Sequence, residues 1–294
     1  VSRRRLRYEW WYGIHLMVYA AILLGFGHQL KIGGDFIGHD WFIGYWYFLY
    51  ILAFSLLGWF RFGRPTWRAL RHRFTIDRVV QEADNIHSIY VRGRNIDTLK
   101  PKPGQFFVWR FLDGERWWQS HPFSMSQLVR PNELRLTFKA VGDFTRRLHL
   151  VKPGTPALLD GPRGNFTLDL AQNNKLLFVA GGIGITPLRT MIEALPKKVD
   201  AQLIYICRNQ KECALEDELN QLSTGKGVKV HYIYSEKAGR LTPERLSELV
   251  PDIVKREIFL CGPEPMMKAM TTMMVGLGVK KQRIYSERFA FLGI

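Results

Sequence analysis

Two apolar runs near the start of the chain place the strongest limit on how it can fold. The first, WWYGIHLMVYAAILLGFGHQL, covers residues 10–30, and the second, WFIGYWYFLYILAFSLLGWFRF, covers residues 41–62. Each has about the 20 residues that an α-helix needs to cross a hydrocarbon core of roughly 30 Å. The runs predict two transmembrane helices. A pair of helices buried inside a soluble protein is the alternative.

The charges around these runs predict an orientation. The loop between them holds Lys31 against Asp35 and Asp40. Arginines lie on the other two sides: Arg3, Arg4, Arg5 and Arg7 before the first run, and Arg61, Arg64, Arg68, Arg71 and Arg73 around the end of the second. Because cytoplasmic loops of membrane proteins are rich in Lys and Arg, both ends are expected in the cytoplasm. Residues 1–73 are therefore predicted to be part of a multi-pass cell-membrane protein, with the lipid bilayer as a partner.

The net charge of +16 does not by itself indicate a nucleic-acid-binding protein. Residues 1–78 hold 11 Lys or Arg against 4 Asp or Glu, and most of these cations flank the apolar runs. The rest of the positive charge is spread over the remaining residues, which suits a domain that binds anionic cofactors. Basic patches with interleaved stacking aromatics are not evident. No nucleic-acid partner is expected.

Three cysteines, Cys207, Cys213 and Cys261, limit the metal and redox chemistry available to the chain. They exclude a disulfide framework and favour a reducing compartment. None belongs to a CxxC pair, so a zinc site is not expected. The four-cysteine spacing of a plant-type iron–sulfur cluster is absent as well.

The first apolar run contains two histidines, His15 and His28. Ionisable residues inside a membrane helix are costly and usually functional, and neutral imidazole is a good axial ligand for haem iron. Both residues are thus predicted ligands of b-type haem; hydrogen bonding within a helix bundle is the alternative. On an ideal helix these two residues lie about 20 Å apart along the axis, and their side chains point in directions about 140° apart around it. Local unwinding at Gly25 and Gly27 is expected to ease this divergence.

The second run contains no histidine to complete such a site. His39 lies in the loop between the runs, and His72 is expected just after the second helix. A six-coordinate haem with two axial imidazoles needs one from each side. The remaining ligands are therefore expected on N-terminal transmembrane helices that precede this sequence, which begins at Val1 rather than Met.

Residues 74–172 read as short β-strands separated by turn signals, which predicts a small antiparallel barrel. The expected strands are 74–80, 86–92, 105–111, 134–140 and 157–159. Residues 173–294 change to strand–helix alternation, with strands expected at 175–180, 202–207, 228–234 and 257–261 and a helix from about Thr186. This alternation predicts an α/β domain with a doubly wound parallel sheet. The fold class is thus multi-domain: two transmembrane helices, an antiparallel barrel and an α/β domain.

A glycine-rich turn joins the first strand of the α/β domain to its helix. It comprises Gly181, Gly182, Gly184, Ile185, Thr186 and Pro187. Glycines there let the backbone approach a pyrophosphate at the helix N-terminus; a merely tight connection is the alternative. Thr186 is expected to cap the helix and Pro187 to occupy its first position.

Two further segments fall at the same carboxyl edge of the expected sheet. Arg208 follows the second strand, where a cation holds a ribose 2′-phosphate and so selects NADPH; a solvated surface arginine is the alternative. Cys261, Gly262 and Pro263 end a later strand, and open α/β sheets bind ligands at this edge. Cys261 is either a site residue or a small buried side chain.

With these residues in place, the soluble part resembles the ferredoxin–NADP reductase superfamily. The whole chain resembles the bacterial ferric reductase and NADPH oxidase flavocytochromes. The similarity is strongest in HPFSMSQ and LRLTFKAVGDFTRRL, within residues 121–148. It implies that His121, Pro122, Phe123 and Ser124 lie along FAD, with the Ser124 hydroxyl reaching flavin N5, and that Lys139, Gly142 and Thr145 approach the FAD phosphates.

The same resemblance assigns the remaining site residues. The glycine turn binds the nicotinamide dinucleotide, and Cys261, Gly262 and Pro263 border the nicotinamide. Glu287 and Phe289 match the family's Glu-x-aromatic pattern, with the aromatic ring stacking on the flavin; Phe291 is a competing stacker. Ser124, Cys261, Glu287 and Phe289 are therefore the expected catalytic residues.

The resemblance implies a path for electrons from NADPH through FAD to haem, and then to ferric iron or dioxygen. The family has about six membrane helices with four haem-ligating histidines. This chain matches the last two helices, and His15 and His28 match one ligand pair. The alternative is a membrane-anchored flavin reductase that has no haem of its own and delivers electrons to a separate partner protein.

Overall fold

A computed structural model describes residues 8–32, 39–114 and 116–288. The described chain divides into a helical unit that ends at Arg64 and a second unit that begins at Pro65.

The helical unit contains two helices, α1 (Tyr8–Ile32) and α2 (Asp40–Gly58). They pack on each other through aromatic rings: the Phe26 centroid lies 4.0 Å from that of Tyr50 and 5.3 Å from that of Tyr47. No residue of α2 is buried. The predicted helices therefore form, but most of their apolar surface faces outward.

The second helix differs from the prediction at its end. It does not stop at Phe62 but passes through a π-helical turn, Trp59–Gly63, into α3 (Arg64–His72), so His72 ends the helical stretch instead of following it. Pro65 explains the turn, because it has no N–H for the carbonyl four residues earlier and displaces the regular hydrogen-bond ladder.

By length and composition, the helix Asp40–His72 could cross a bilayer, and a shorter apolar stretch in α1 runs from Met17 to Phe26. Two transmembrane spans remain a prediction. The expected unwinding at Gly25 and Gly27 was wrong, since α1 is α-helical through both positions.

The next domain is an antiparallel β structure. Its strands are β1 (Thr75–Ala83), β2 (Ile86–Arg92), β3 (Phe106–Phe111), β4 (His121–Ser124), β5 (Glu133–Lys139) and β6 (Ala157–Arg163), with one short helix, α4 (Asp143–Leu148). They form two sheets with the orders β1–β2–β5 and β4–β3–β6. Bridges Met125–Leu136 and Thr75–Pro156 join the sheets at both edges, which closes a six-stranded Greek-key barrel.

Strand alternation accounts for the core of this barrel. In β5, Leu134, Leu136 and Phe138 point inward and are buried with Trp109 and Phe111 of β3. Outside the barrel, α3 is anchored to it because Arg68 donates to the Gly161 carbonyl.

The last domain is a five-stranded parallel sheet with helices on both faces. The strands are β7 (Lys175–Gly181), β8 (Asp200–Cys207), β9 (Lys229–Tyr234), β10 (Glu257–Gly262) and β11 (Ile284–Arg288). The helices are α5 (Ile185–Ala194), α6 (Glu216–Lys226), α7 (Ser235–Ala238), α8 (Pro243–Leu249) and α9 (Glu264–Gly276). The strand order in the sheet is β11–β10–β7–β8–β9. The chain adds strands on one side of β7 as far as β9 and then on its other side, so the topological switch point lies between β7 and β10. Doubly wound sheets bind ligands at this point.

The observed strand bounds lie within three residues of the predicted ones, except that β6 extends to Arg163. Two strands, β4 and β11, were absent from the predicted list. β11 is short and carries only two apolar residues, and it is held in place by its parallel pairing with β10.

Candidate functional site

The carboxyl ends of β7 and β10 touch through their glycines. A Cβ on Gly184 would overlap the Cys261 carbonyl, and a Cβ on Gly262 would lie 3.0 Å from the Gly181 Cα. Gly182 adopts a left-handed conformation, with φ +51°, and a Cβ there would meet nothing within 4 Å. Glycine is therefore needed for backbone packing at Gly184 and Gly262, while the backbone at Gly182 is open to a ligand.

The helix after this turn starts differently from the prediction. α5 begins at Ile185, and the Thr186 hydroxyl donates to the Ile183 carbonyl at 3.1 Å. Thr186 is therefore not the N-cap. Pro187 is the third helical residue, and an N–H at this position has no hydrogen-bond partner within the helix, so proline costs no hydrogen bond here. The N-terminus of α5 still lies directly after Gly184 at the switch point, a position that suits a pyrophosphate.

Cys261 and Glu287 are neighbours at this edge. They are partners in the parallel β10–β11 pairing, and the Cys261 side chain is fully buried. Burial raises the pKa of Glu287, and burial together with Glu287 raises the pKa of the Cys261 thiol. Burial thus favours the neutral thiol of Cys261, beneath this edge of the sheet.

On the barrel, β4 presents a run of aromatic and polar groups. The His121 ring stacks on Phe144 with centroids 3.9 Å apart, and Phe123 lies 6.4 Å from the same ring. Burial lowers the pKa of His121, so a neutral imidazole is favoured. Ser124 ends the strand opposite Phe106, with 6% of its surface exposed, whereas Pro122 is exposed.

The turn before α4 is built around Thr145. Its hydroxyl accepts from the Gly142 amide at 3.0 Å and donates to the Gly142 carbonyl at 3.2 Å. A Cβ on Gly142 would meet only that hydroxyl, at 3.8 Å. The protein's own packing does not require glycine here, whereas a phosphate close to the backbone would.

Lys139, the third residue of this predicted phosphate site, also reaches the other domain. Its Nζ lies 2.6 Å from Glu212 Oε2. The same carboxylate lies 3.5 Å from Arg208, which is 69% exposed and is also 4.0 Å from Glu236. The two cations predicted to hold cofactor phosphates thus share one carboxylate.

A buried ion-pair network joins the two domains. Arg135 on β5 donates to both oxygens of Glu218 on α6, at 2.5 and 2.9 Å. Arg189 on α5 also donates to Glu218, at 2.8 Å, and to Glu193, at 2.7 Å. Glu193 in turn accepts from the backbone amide of Leu128 in the barrel domain at 2.8 Å. We call Arg135, Arg189, Glu193 and Glu218 the joint.

An apolar contact reinforces the joint beside the glycine turn. Ile86 of the barrel is buried with Ala214 and Leu215, and Ile183 packs against this cluster. The switch point of the α/β domain is therefore held against the barrel.

Sequence reasoning missed the joint and Glu212. Strand alternation places Arg135 on the outer face of β5, but no local pattern pairs it with Glu218, 83 residues away. A buried arginine with a two-point partner is visible only after folding.

Some predicted residues are not brought into this site. Phe289 lies outside the described residues, as does Phe291. His28 is exposed on α1, and the side chain of His15 is outside the description. His72 is buried, and its Nδ1 lies 2.8 Å from the Arg94 carbonyl. Among the described residues, no group of three or more His, Cys, Asp or Glu could hold a metal ion.

Comparisons with known proteins match both domains. An FAD-binding domain family matches residues 72–164, and an oxidoreductase NAD-binding domain family matches residues 178–272. The FAD/NAD-binding domain of nitric oxide dioxygenase from Vibrio cholerae superposes with a TM-score of 0.64 at 25% identity, covering 74% of this chain and 97% of that one.

Two curated relatives cover the same part of the chain. Flavohemoprotein A of Dictyostelium discoideum is 31% identical over 76% of this chain and 61% of its own length. A glycine betaine monooxygenase reductase subunit of Chromohalobacter salexigens is 28% identical over 76% of this chain and 66% of its own length. The chain thus spans less than two thirds of these relatives. It contains an FAD-binding domain and an NAD-binding domain, paired as in the ferredoxin–NADP reductase superfamily.

Proposed function

We propose that this protein is a membrane-attached reductase that takes hydride from NADPH onto FAD and passes the electrons to an acceptor at the membrane. The observation that carries the proposal is the joint, together with the contact of the glycine turn Gly182–Gly184 with β5, the neighbour of the strand β4 that carries Ser124.

The residues present fit both cofactors. The backbone is open at Gly142 and at Gly182, where phosphates would approach. Lys139 and Arg208 supply two cations, both in contact with Glu212. FAD, when bound, accepts a hydride and can release electrons one at a time.

The chain's own groups would orient this transfer. The amides at the start of α5 bind the pyrophosphate of the nucleotide and fix its position along the switch point. The Ser124 hydroxyl binds at flavin N5. Cys261 and Glu287 border the nicotinamide. Burial raises the pKa of both groups.

Membrane attachment is supported by the helical unit. α2 contains no buried residue, and large apolar side chains such as Phe48, Ile51 and Leu56 are exposed along it. A soluble protein rarely leaves so long an apolar surface uncovered. The chemistry of this surface matches the hydrocarbon core of a bilayer.

The two forms of the proposal differ in the acceptor. In the first, His15 and His28 would hold b-type haem, which would supply one-electron transfer across the membrane to ferric iron or dioxygen. The described residues do not complete such a site, because α2 has no histidine, so the other ligands must come from further helices. In the second, a separate protein accepts the electrons. The name of one curated relative, a reductase subunit, supports the second form.

An anaerobic absorption spectrum of the membrane-extracted protein, taken before and after NADPH, tests the proposal. Flavin bleaching followed by sharp reduced haem bands, lost in His15→Ala or His28→Ala but retained in His39→Ala, supports the first form. Flavin bleaching without haem bands supports the second. A colourless protein that NADPH does not change would overturn both.

A further inference from the structure

Two of the three cysteines are in contact in the α/β domain. Cys207 ends β8, and Cys213 follows the short turn Gln210–Glu212. Their Sγ atoms are 2.7 Å apart. Since the bond in a disulfide is about 2.05 Å long, the sulfurs need to approach by less than about 1 Å to join.

The surroundings of this pair favour a dithiol over a metal site. The side chains are 3% and 5% exposed and belong to the apolar core of the domain, beside Leu219. The contact with Cys207, and then burial, raise the pKa of Cys213. No group of three or more potential metal ligands includes the pair in the described part of the chain.

We propose that Cys207 and Cys213 are a redox modification site, which a hydroperoxide converts into an intramolecular disulfide. The two thiols lose two protons and two electrons, and one S–S bond forms. The O–O bond of the hydroperoxide breaks, and hydrogen peroxide yields two molecules of water. A dithiol reductant reverses the change by thiol–disulfide exchange.

The disulfide would close the segment 208–212, which carries two residues of the proposed nucleotide site. Arg208 is the predicted 2′-phosphate ligand, and Glu212 contacts both Arg208 and Lys139 of the barrel. Oxidation therefore fixes the segment that links the nucleotide site to the FAD-binding domain. This consequence rests on the proposed function, whereas formation of the bond does not.

Counting thiols tests the bond directly. The reduced protein is treated with hydrogen peroxide, the excess is removed, and the thiols are titrated after denaturation. We expect three thiols to fall to one in the native sequence and two to fall to zero in Cys261→Ser. We expect Cys207→Ser and Cys213→Ser each to keep two. Peptide mass spectrometry should identify the Cys207–Cys213 cross-link, and dithiothreitol should restore all three thiols.

The unfolding temperature provides a second readout that needs no cofactor. A seven-residue loop closed by a disulfide should raise the midpoint of thermal unfolding by about 5 °C, and Cys213→Ser should show no such shift. Retention of all three thiols, or oxidation of the cysteines without a cross-link, would overturn the proposal. If the reduced protein does not bind NADPH but still forms the cross-link on oxidation, the proposed nucleotide site is refuted and the disulfide proposal stands.

Discussion

The guanidinium of Arg135 and the carboxylate of Glu218 meet in a two-point ion pair, with Nη1–Oε1 at 2.5 Å and Nη2–Oε2 at 2.9 Å. Arg135 lies on the barrel, is 1% exposed and also donates to the Ser126 carbonyl at 2.6 Å. Burial alone would raise the pKa of Glu218, but Arg135 and Arg189 hold it below its usual value. The pair fixes the orientation of the NAD-binding domain on the FAD-binding domain.

Replacing Arg135 with Lys should therefore weaken both the fold and the alignment of the domains. A lysine cannot contact both carboxylate oxygens in the same plane. We expect a loss of about 3 kcal/mol in the free energy of unfolding and slower flavin reduction by NADPH. Urea unfolding and stopped-flow absorbance measure the two effects.

Arg78→Ala, which removes an exposed arginine paired with Asp77 and Glu133, should cost less than about 1 kcal/mol. Equal losses in the two variants would contradict this role.

The sequence was sufficient to predict elements that follow from local pattern. Alternation in residues 134–140 identified β5, and the apolar strand before Gly181 identified β7, because each strand buries side chains in a regular period. Long-range partners could not be predicted in this way. Arg135 and Glu218, like Lys139 and Glu212, are adjacent only because the domains dock.

Other misses have local causes. The start of α5 was misplaced because Thr186 and Pro187 are typical of a helix N-terminus, whereas the close approach of Gly184 to Cys261 shifts the start to Ile185. The contact between Cys207 and Cys213 was missed because their spacing matches no CxxC pattern. It depends on the turn Gln210–Glu212, which bends the chain back to the end of β8.

Ser124→Ala should slow flavin reduction without an equal loss of NADPH affinity. The hydroxyl is proposed to bind where hydride arrives, so its loss affects the transfer more than nucleotide binding. We expect the rate of flavin reduction to fall about tenfold, because the lost free energy is that of one hydrogen bond. Stopped-flow reduction over a range of NADPH concentrations separates the rate from the affinity. Ser120→Ala, an exposed serine just before β4, is the matched control. An unchanged rate in Ser124→Ala would refute the assignment.

Gly142→Ala tests the FAD phosphate site without disturbing the fold. Gly142 has φ −104° and no steric need for glycine, so the free energy of unfolding of the apoprotein should change by less than about 0.5 kcal/mol. A methyl group between the backbone and a phosphate should weaken FAD binding by about tenfold. Fluorescence titration of the apoprotein with FAD measures this. Gly225→Ala on α6, where a Cβ also meets nothing, should leave the affinity unchanged. Unaltered FAD affinity in Gly142→Ala would place the phosphates elsewhere.

Arg208→Ala tests the choice of nucleotide. Loss of a charge-assisted hydrogen bond to a 2′-phosphate should weaken NADPH binding by about tenfold or more, while NADH binding stays the same. Arg245→Ala, an exposed arginine on α8, should alter neither. Titration with both nucleotides compares the variants. Parallel losses for NADH and NADPH would show that Arg208 does not read the 2′-phosphate.

The pH dependence of stability should follow His87, whose ring stacks on that of His149 with centroids 4.9 Å apart and an interplanar angle of 15°. Burial, and then the charge of His149, lower the pKa of His87; burial likewise lowers that of His121. The folded state resists protonation at these sites, so below about pH 6.5 the unfolded chain binds more protons. Stability is therefore fully present above this pH and decreases as the pH falls toward the lower, folded-state pKa values.

Urea unfolding at pH 7.5 and pH 5.5 measures the decrease in stability. It should be smaller in His87→Gln because one of the groups that resist protonation is gone. His39→Gln, at an exposed position, should behave like the native sequence. An identical decrease in His87→Gln would assign the pH dependence to other groups.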